Sequence, residues 1–203
     1  MLTKLLEQVH RLREGRPGRL FVGITGAPGA GKSTLAQLLA QRLDRAAVVP
    51  MDGFHLANAE LRRLGRADRK GAPDTFDAAG YAALLRRLRD TTDETVWAPT
   101  FDHVLNEPVA GAVPVPPEAD VVITEGNYLL LDVAPWDRVR GLLDLAVYLS
   151  ADDAERVDGL LARQLAKGLD EAAARDWVLR SDEANARLVA TTAARADLRL
   201  HRA

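Results

Sequence analysis

The chain has 203 residues, of which 47% are hydrophobic and 28% charged, with a formal net charge of −2 and no cysteine. That length and composition suit one ordinary α/β domain, residues 1–203, carrying a small lid. The near-neutral charge gives no footing for a nucleic-acid or acidic-membrane partner, and the lack of cysteine excludes disulfides, thiolate nucleophiles and cysteine-ligated zinc.

The N-terminal stretch Met1 to Gly15 places Leu2, Leu5, Leu6, Val9 and Leu12 at helical spacing with charges between them. It reads as an amphipathic helix packed on the domain's own core and not as a signal peptide. No apolar run reaches the length of a membrane span, so the expected location is the cytoplasm. After the turn cluster Gly15–Gly18, Leu20 to Ile24 reads as a buried strand, followed by a glycine-rich loop and a helix from Ser33 to Leu43. A second strand, Ala47 to Met51, ends at Asp52. The basic stretch Ala59 to Gly71 predicts a short helix with a loop, and Phe76-Asp77 opens a helix through Tyr81 and Leu88. Thr95 to Trp97 reads as a short strand, and Pro99 to Pro117, rich in proline and glycine, as irregular. Val121 to Thr124 and Leu145 to Leu149 are buried strands, Ala151 to Ala190 is helical with a break at Gly168, and Leu198 to Leu200 is a last strand. Strands alternating with helices imply a central parallel sheet covered on both faces.

Gly26-Ala27-Pro28-Gly29-Ala30-Gly31-Lys32-Ser33-Thr34 fits G-x-x-x-x-G-K-[ST] between a predicted strand and a predicted helix. Small residues let backbone N–H groups converge on phosphate oxygens, and the helix start adds its positive end. The pattern predicts a P-loop NTPase fold that binds ATP, with Lys32 on the β- and γ-phosphates and the Ser33 hydroxyl in a Mg²⁺ shell.

Ligands of α/β sheets sit beyond the carboxyl ends of the strands, and two acids stand there: Asp52 after VVPM and Glu125 after VVIT. With Lys32 they compose a phosphoryl-transfer set, Asp52 as the base for an acceptor hydroxyl and Glu125 as the carboxylate on the metal side.

In this order GAPGAGKST, MDGFHLANAELRRLGRADRKGAPDTFD, PTFDH and VVITEGNYLLLD resemble the uridine kinase, pantothenate kinase and phosphoribulokinase group of P-loop kinases, from Leu20 to about Asp197. Within it the chain looks most like the nucleoside/nucleotide-kinase-like branch provisionally labelled fructose transport system kinases. The resemblance implies that Asp52 is the base, that Ser33 and Glu125 serve Mg²⁺, and that Arg163 is a lid arginine. RKGAPDTFD is similar to the acceptor segment of bacterial pantothenate kinases, and His103 falls where those enzymes carry an acceptor-side histidine. The tyrosine expected two residues earlier is Phe101 here. Gly71 and Ala72 stand where uridine kinases carry an Asp-His pair, so the groups that read a nucleoside are missing.

Arg62, Arg63 and Arg66 read as a solvated helix face, while Arg69 and Lys70, beside the acceptor segment, are candidates for acceptor contact. His55 and His103 are candidates for the acceptor pocket, whereas His10 and His201 read as surface residues. The tryptophans Trp97, Trp136 and Trp177 read as core or lid packing. The lid is expected over about 151–175, with Arg163 closing on the transferring phosphoryl group, Arg156 as second choice, and Asn185 framing the adenine. The reading is phosphoryl transfer from ATP to a hydroxyl of a small molecule: a sugar, polyol or pantothenate-like compound. A nucleoside kinase is the nearest alternative. A nucleotide sensor or scaffold is the alternative of another class, although no Asn-Lys-x-Asp or Thr-Lys-x-Asp guanine motif is present. Nothing in the sequence fixes an oligomeric state.

Overall fold

In the computed structural model, which describes residues 1–202, the apolar runs form five parallel strands. In chain order the elements begin with α1 (Leu2–Arg13), β1 (Leu20–Thr25), α2 (Lys32–Ala40) and β2 (Ala46–Pro50), then a 3₁₀ turn over Met51–Phe54. Next come α3 (Asn58–Arg63), α4 (Ala78–Asp90), β3 (Val96–Asp102), β4 (Glu107–Val115), β5 (Val121–Glu125) and the short α5 (Asp137–Arg140). The chain closes with β6 (Leu145–Ala151), α6 (Asp153–Ala166), α7 (Glu171–Trp177), a π-helical turn over Val178–Asp182, α8 (Glu183–Ala190) and β7 (Leu198–Arg202).

The main sheet has the order β2-β5-β1-β6-β7. β1 is its centre and is buried along its whole length, as expected for a parallel strand covered on both faces. Alternation splits its side chains between two cores. Leu20, Val22 and Ile24 pack with Leu5 and Val9 of α1 and with Leu35 and Leu39 of α2. Phe21 faces the other way, toward Tyr81 and Leu85 of α4, Trp136 and Val189 of α8. The two long interior sequence runs, LFVGIT and VVITE, thus each feed both layers. Arg19, just before β1, is buried at the opposite end of the sheet and donates to the carbonyls of Leu88, Thr91, Pro116 and Ala119, tying the end of α4 to the loop between β4 and β5.

One expectation fails clearly. Pro99 to Pro117 is not irregular: β3 and β4 form an antiparallel hairpin outside the main sheet, from Val96↔Val115 to Asp102↔Glu107. Each strand of an isolated ribbon has one partner, so prolines are tolerated on its free side, and a register shift between Ala98 and Thr100 absorbs Pro99. Asn106, at φ 54°, makes the reversal. Trp97 departs from expectation too, standing 56% exposed on this hairpin, whereas Trp136 is core. The break at Gly168 is present, with φ +91° in the left-handed region that favours glycine. The expected lid spans the end of β6, α6 and part of α7. Among the described residues no helix is long and apolar enough to cross a membrane.

Candidate active site

Beyond the carboxyl ends of β1, β2 and β5 lies a cleft of about 840 Å³, a size suited to a small-molecule ligand. The glycine-rich loop forms one wall. A Cβ on Gly26 would stand 2.2 Å from the Leu149 carbonyl oxygen, so the loop can leave β1 this close to β6 only with glycine there. Ala30 is buried, and Pro28, Gly29, Gly31, Lys32, Ser33 and Thr34 line the cleft. Gly31 caps α2 with φ +92°, aiming the start of the helix at the cleft.

Lys32 is 8% exposed and donates from Nζ to the Ala27 carbonyl at 2.9 Å. Burial lowers its pKa to about 8, with Arg163 and Arg156 acting the same way and Glu125 and Asp52 opposing. Glu125 is the last residue of β5, paired in register with Ile24 of β1 and Pro50 of β2. Asp52 follows Pro50 by two residues, in the 3₁₀ turn and not in the strand itself. The sheet register therefore sets both carboxylates at one strand end. Burial, and then the Asp52 charge, push Glu125 up to about 7 against the pull of Lys32, Ser33 and Arg163. The Ser33 hydroxyl donates to Glu125 Oε1 at 3.1 Å.

Among the described residues no group of three or more His, Cys, Asp or Glu could enclose a metal ion. A divalent cation held by one hydroxyl, one carboxylate, water and phosphate oxygens needs no such cage. Ser33 and Glu125 fit that role, because the buried carboxylate has a single hydroxyl as its hydrogen-bond donor and lies beside the phosphate-binding loop.

The opposite wall is built by the 3₁₀ turn, the acceptor segment and the hairpin. His55 bridges to Phe76 and places Nδ1 2.8 Å from the Asp52 carbonyl, which accepts, so the proton sits on Nδ1. Its ring lies 4.0 Å from Phe76 and 4.7 Å from Phe101, and burial lowers its pKa. Phe101 also meets the exposed His103 at 5.3 Å. Lys70 donates to Asn58 Oδ1 and to the Asn106 carbonyl, both at 2.6 Å, with its ammonium 4.9 Å from the Phe101 ring. Arg69 departs from expectation: its guanidinium pairs with Asp74 at 2.8 Å and does not line the cleft. Gly71 has φ +99°, and its carbonyl accepts from the Tyr128 hydroxyl at 2.5 Å and from Asn185 Nδ2 at 3.3 Å. Asn185, expected at the adenine, is buried, lines the cleft and is fastened to the Gly71 carbonyl.

Above the cleft, Arg163 reaches in from the exposed side of α6, with Gln164 and Lys167 beside it. Arg156 does not: it is 2% exposed, pairs with Glu183 at 2.5 Å and Asp153 at 3.1 Å, and donates to the Pro28 carbonyl at 3.2 Å. It fastens α6 and α8 to the phosphate-binding loop. Sequence reasoning missed Asp182, Asn58 and Asn127, which also line the cleft. Asp182 lies on a π-helical turn, whose period hides it from a search at helical spacing.

Comparison with known proteins identifies the family of the fold. The profile of the "Phosphoribulokinase / Uridine kinase family" matches residues 21–203. A provisionally named uridine kinase of Schizosaccharomyces pombe is 36% identical over 161 residues, covering 74% of this chain and 68% of the relative. Pantothenate kinase of Clavibacter michiganensis is 34% identical over 139 residues, 64% of this chain but only 43% of that enzyme. Among solved structures, a provisionally named fructose transport system kinase from Silicibacter superposes with TM-score 0.89 at 40% identity, covering 98% of both chains. Phosphoribulokinase from Rhodobacter spheroides shares the fold at TM-score 0.61 and 15% identity, over 90% of this chain and 70% of that one. The chain belongs to the phosphoribulokinase / uridine kinase family and is an ATP-dependent kinase of small molecules.

Proposed function

We propose that this cleft moves the γ-phosphoryl group of ATP to a hydroxyl of a sugar, polyol or pantothenate-like acceptor in the cytoplasm. The observation that carries the reading is the register of β1, β5 and β2, which gathers Lys32, Glu125 and Asp52 at one strand end under Arg163. Asp52 takes the proton of the acceptor hydroxyl as its oxygen attacks the γ-phosphorus and the bond to ADP breaks. Lys32 and Arg163 offset the charge spread over the transferred group, and the buried Lys32 does this better than a solvated cation would. Backbone N–H groups of Gly29 to Thr34 cradle the phosphates. Ser33 and Glu125 would hold Mg²⁺, which would supply charge neutralisation at the phosphates.

Across the cleft His55, Lys70, Phe101 and His103 take the acceptor. At Gly71 the backbone is left-handed and carries no side chain, and its carbonyl is already held by Tyr128 and Asn185. This supports an acceptor other than a nucleoside, since a site without polar readers discriminates poorly for the groups they would bind. A coupled ADP-release assay over fructose, sorbitol, pantothenate, D-glycerate, uridine and cytidine tests the reading. Turnover led by uridine or cytidine would replace it with nucleoside phosphorylation. ATP binding without acceptor-dependent turnover on any broader panel would make the protein a nucleotide sensor.

A further inference from the structure

The cleft holds an acidic group for which phosphoryl transfer as described has no use. Asp182 lines it from the π-helical turn between α7 and α8. No described residue donates a hydrogen bond to either of its carboxylate oxygens, and Oδ2 is shielded from solvent. Such a group is costly, and native folds keep it where something else completes it.

Its neighbours fix its place. Glu183 is tied through Arg156 to the Pro28 carbonyl of the phosphate-binding loop. Asn185 is tied to the Gly71 carbonyl of the acceptor segment. Asp182 is therefore held at the junction of the two walls, and the π turn displaces it from the regular helical face, a distortion common at functional sites. Arg163 and Lys167 lie near enough on α6 to act on its charge, but neither forms an ion pair with it.

We propose that Asp182 is a specificity-determining residue that accepts a hydrogen bond from a hydroxyl or ammonium group of the acceptor, away from the hydroxyl that is phosphorylated. This rests on the kinase reading above and narrows it. An acceptor with a carboxylate or phosphate at that position would meet like charge, whereas a neutral polyol, sugar or amino sugar completes the unpaired carboxylate. The favoured class becomes polyhydroxylated neutral or cationic compounds rather than acids.

The test compares the wild type with Asp182→Asn and Asp182→Ala for phosphorylation of fructose, sorbitol, glucosamine, pantothenate and D-glycerate. Circular dichroism checks the fold. The wild type should favour the neutral and amino compounds. Losing a hydrogen bond to a charged group should raise their KM about 10- to 100-fold in Asp182→Ala and by a smaller factor in Asp182→Asn, whose Oδ1 still accepts but without the charge, with the KM for ATP unchanged in both. The preference over the acids should shrink by a similar factor. Unchanged acceptor KM and ranking in both variants would overturn the proposal while leaving the kinase reading intact. A fall in kcat with every acceptor, accompanied by a raised KM for ATP, would also overturn it and make Asp182 an anchor for Arg163 or Lys167. A wild type that phosphorylates nothing on this and the wider panel would remove both readings.

Discussion

Replacing Asp182 by asparagine should stabilise the fold at neutral pH. Burial pushes the carboxyl from its ordinary 3.8 to about 6, with Arg163, Lys167 and Arg156 pulling the other way. The folded-state pKa is raised, so the penalty is fully present above pH 6, shrinks as pH falls through 6 toward 4, and vanishes below the unfolded value. A shift of about two units corresponds to about 3 kcal/mol of destabilisation at pH 7. The carboxylate makes no hydrogen bond that asparagine would lose, but the new amide N–H groups need partners and cancel part of the gain. The net expectation is about 1–2 kcal/mol, or a rise of about 2–8 °C in Tm for a domain of this size. Thermal unfolding of both proteins from pH 4 to 8 would check it: the advantage of the variant in Tm should be full above pH 6 and be lost as pH falls from 6 toward 4. A variant less stable than the wild type at pH 7.5, or a gap that ignores pH, would refute the argument and give the carboxylate a partner within the fold.

Three further outcomes follow from the site. Asp52→Asn should lower kcat by about 10²- to 10⁴-fold with ATP affinity nearly unchanged, read by single turnover beside ATP titration; a collapse of ATP affinity with the chemical step intact would exchange the roles of Asp52 and Glu125. Arg163→Ala should lower kcat by about 10²-fold or more with little change in acceptor KM, because its charge meets the transferring group; a raised acceptor KM with unchanged kcat would make it a ground-state contact. Arg156→Ala strands the carboxylate of Glu183, itself 22% exposed, so the cost should fall below that of a fully buried pair, at about 2–3 kcal/mol, visible as a lowered Tm.

The parts of the fold with one dominant physical cause were legible in the sequence. Strands buried on both faces need unbroken apolar runs, and LFVGIT and VVITE are such runs. The glycine-rich turn between strand and helix leaves little freedom, because Gly26 is pressed against Leu149. Where two causes compete, the reading erred. Pro99, Pro108 and Pro114 oppose a sheet interior but not a lone ribbon, and only the tertiary arrangement tells these apart. Arg69 looked like an acceptor ligand because the charge run hid Asp74, five residues on, which takes its guanidinium. Arg156 and Arg163 lie seven residues apart on one helix, and burial alone separates the clamp from the free cation.

The same burial that makes the cleft reactive works against the fold. Lys32, Glu125 and Asp182 are each moved toward their neutral forms by loss of solvent. A fold selected for stability alone would place apolar groups there, as it does on the other side of β1, where Val22 and Ile24 meet α1 and α2. Lys32 and Glu125 are kept because an interaction weakened by water in the open is strong in a shielded cleft, and phosphoryl transfer consists almost wholly of placing charge against charge. Stability is recovered where no chemistry is asked for. Arg19, at the far end of the sheet, satisfies four carbonyls, and the Thr124 hydroxyl links the Tyr81 hydroxyl to the Val49 carbonyl beneath the site. Those buried polar groups are fully bonded, in contrast to Asp182. Arg19 and Thr124 are thus completed by the fold itself, whereas Asp182 Oδ2 stays without a partner on the cleft, where a bound ligand would complete it.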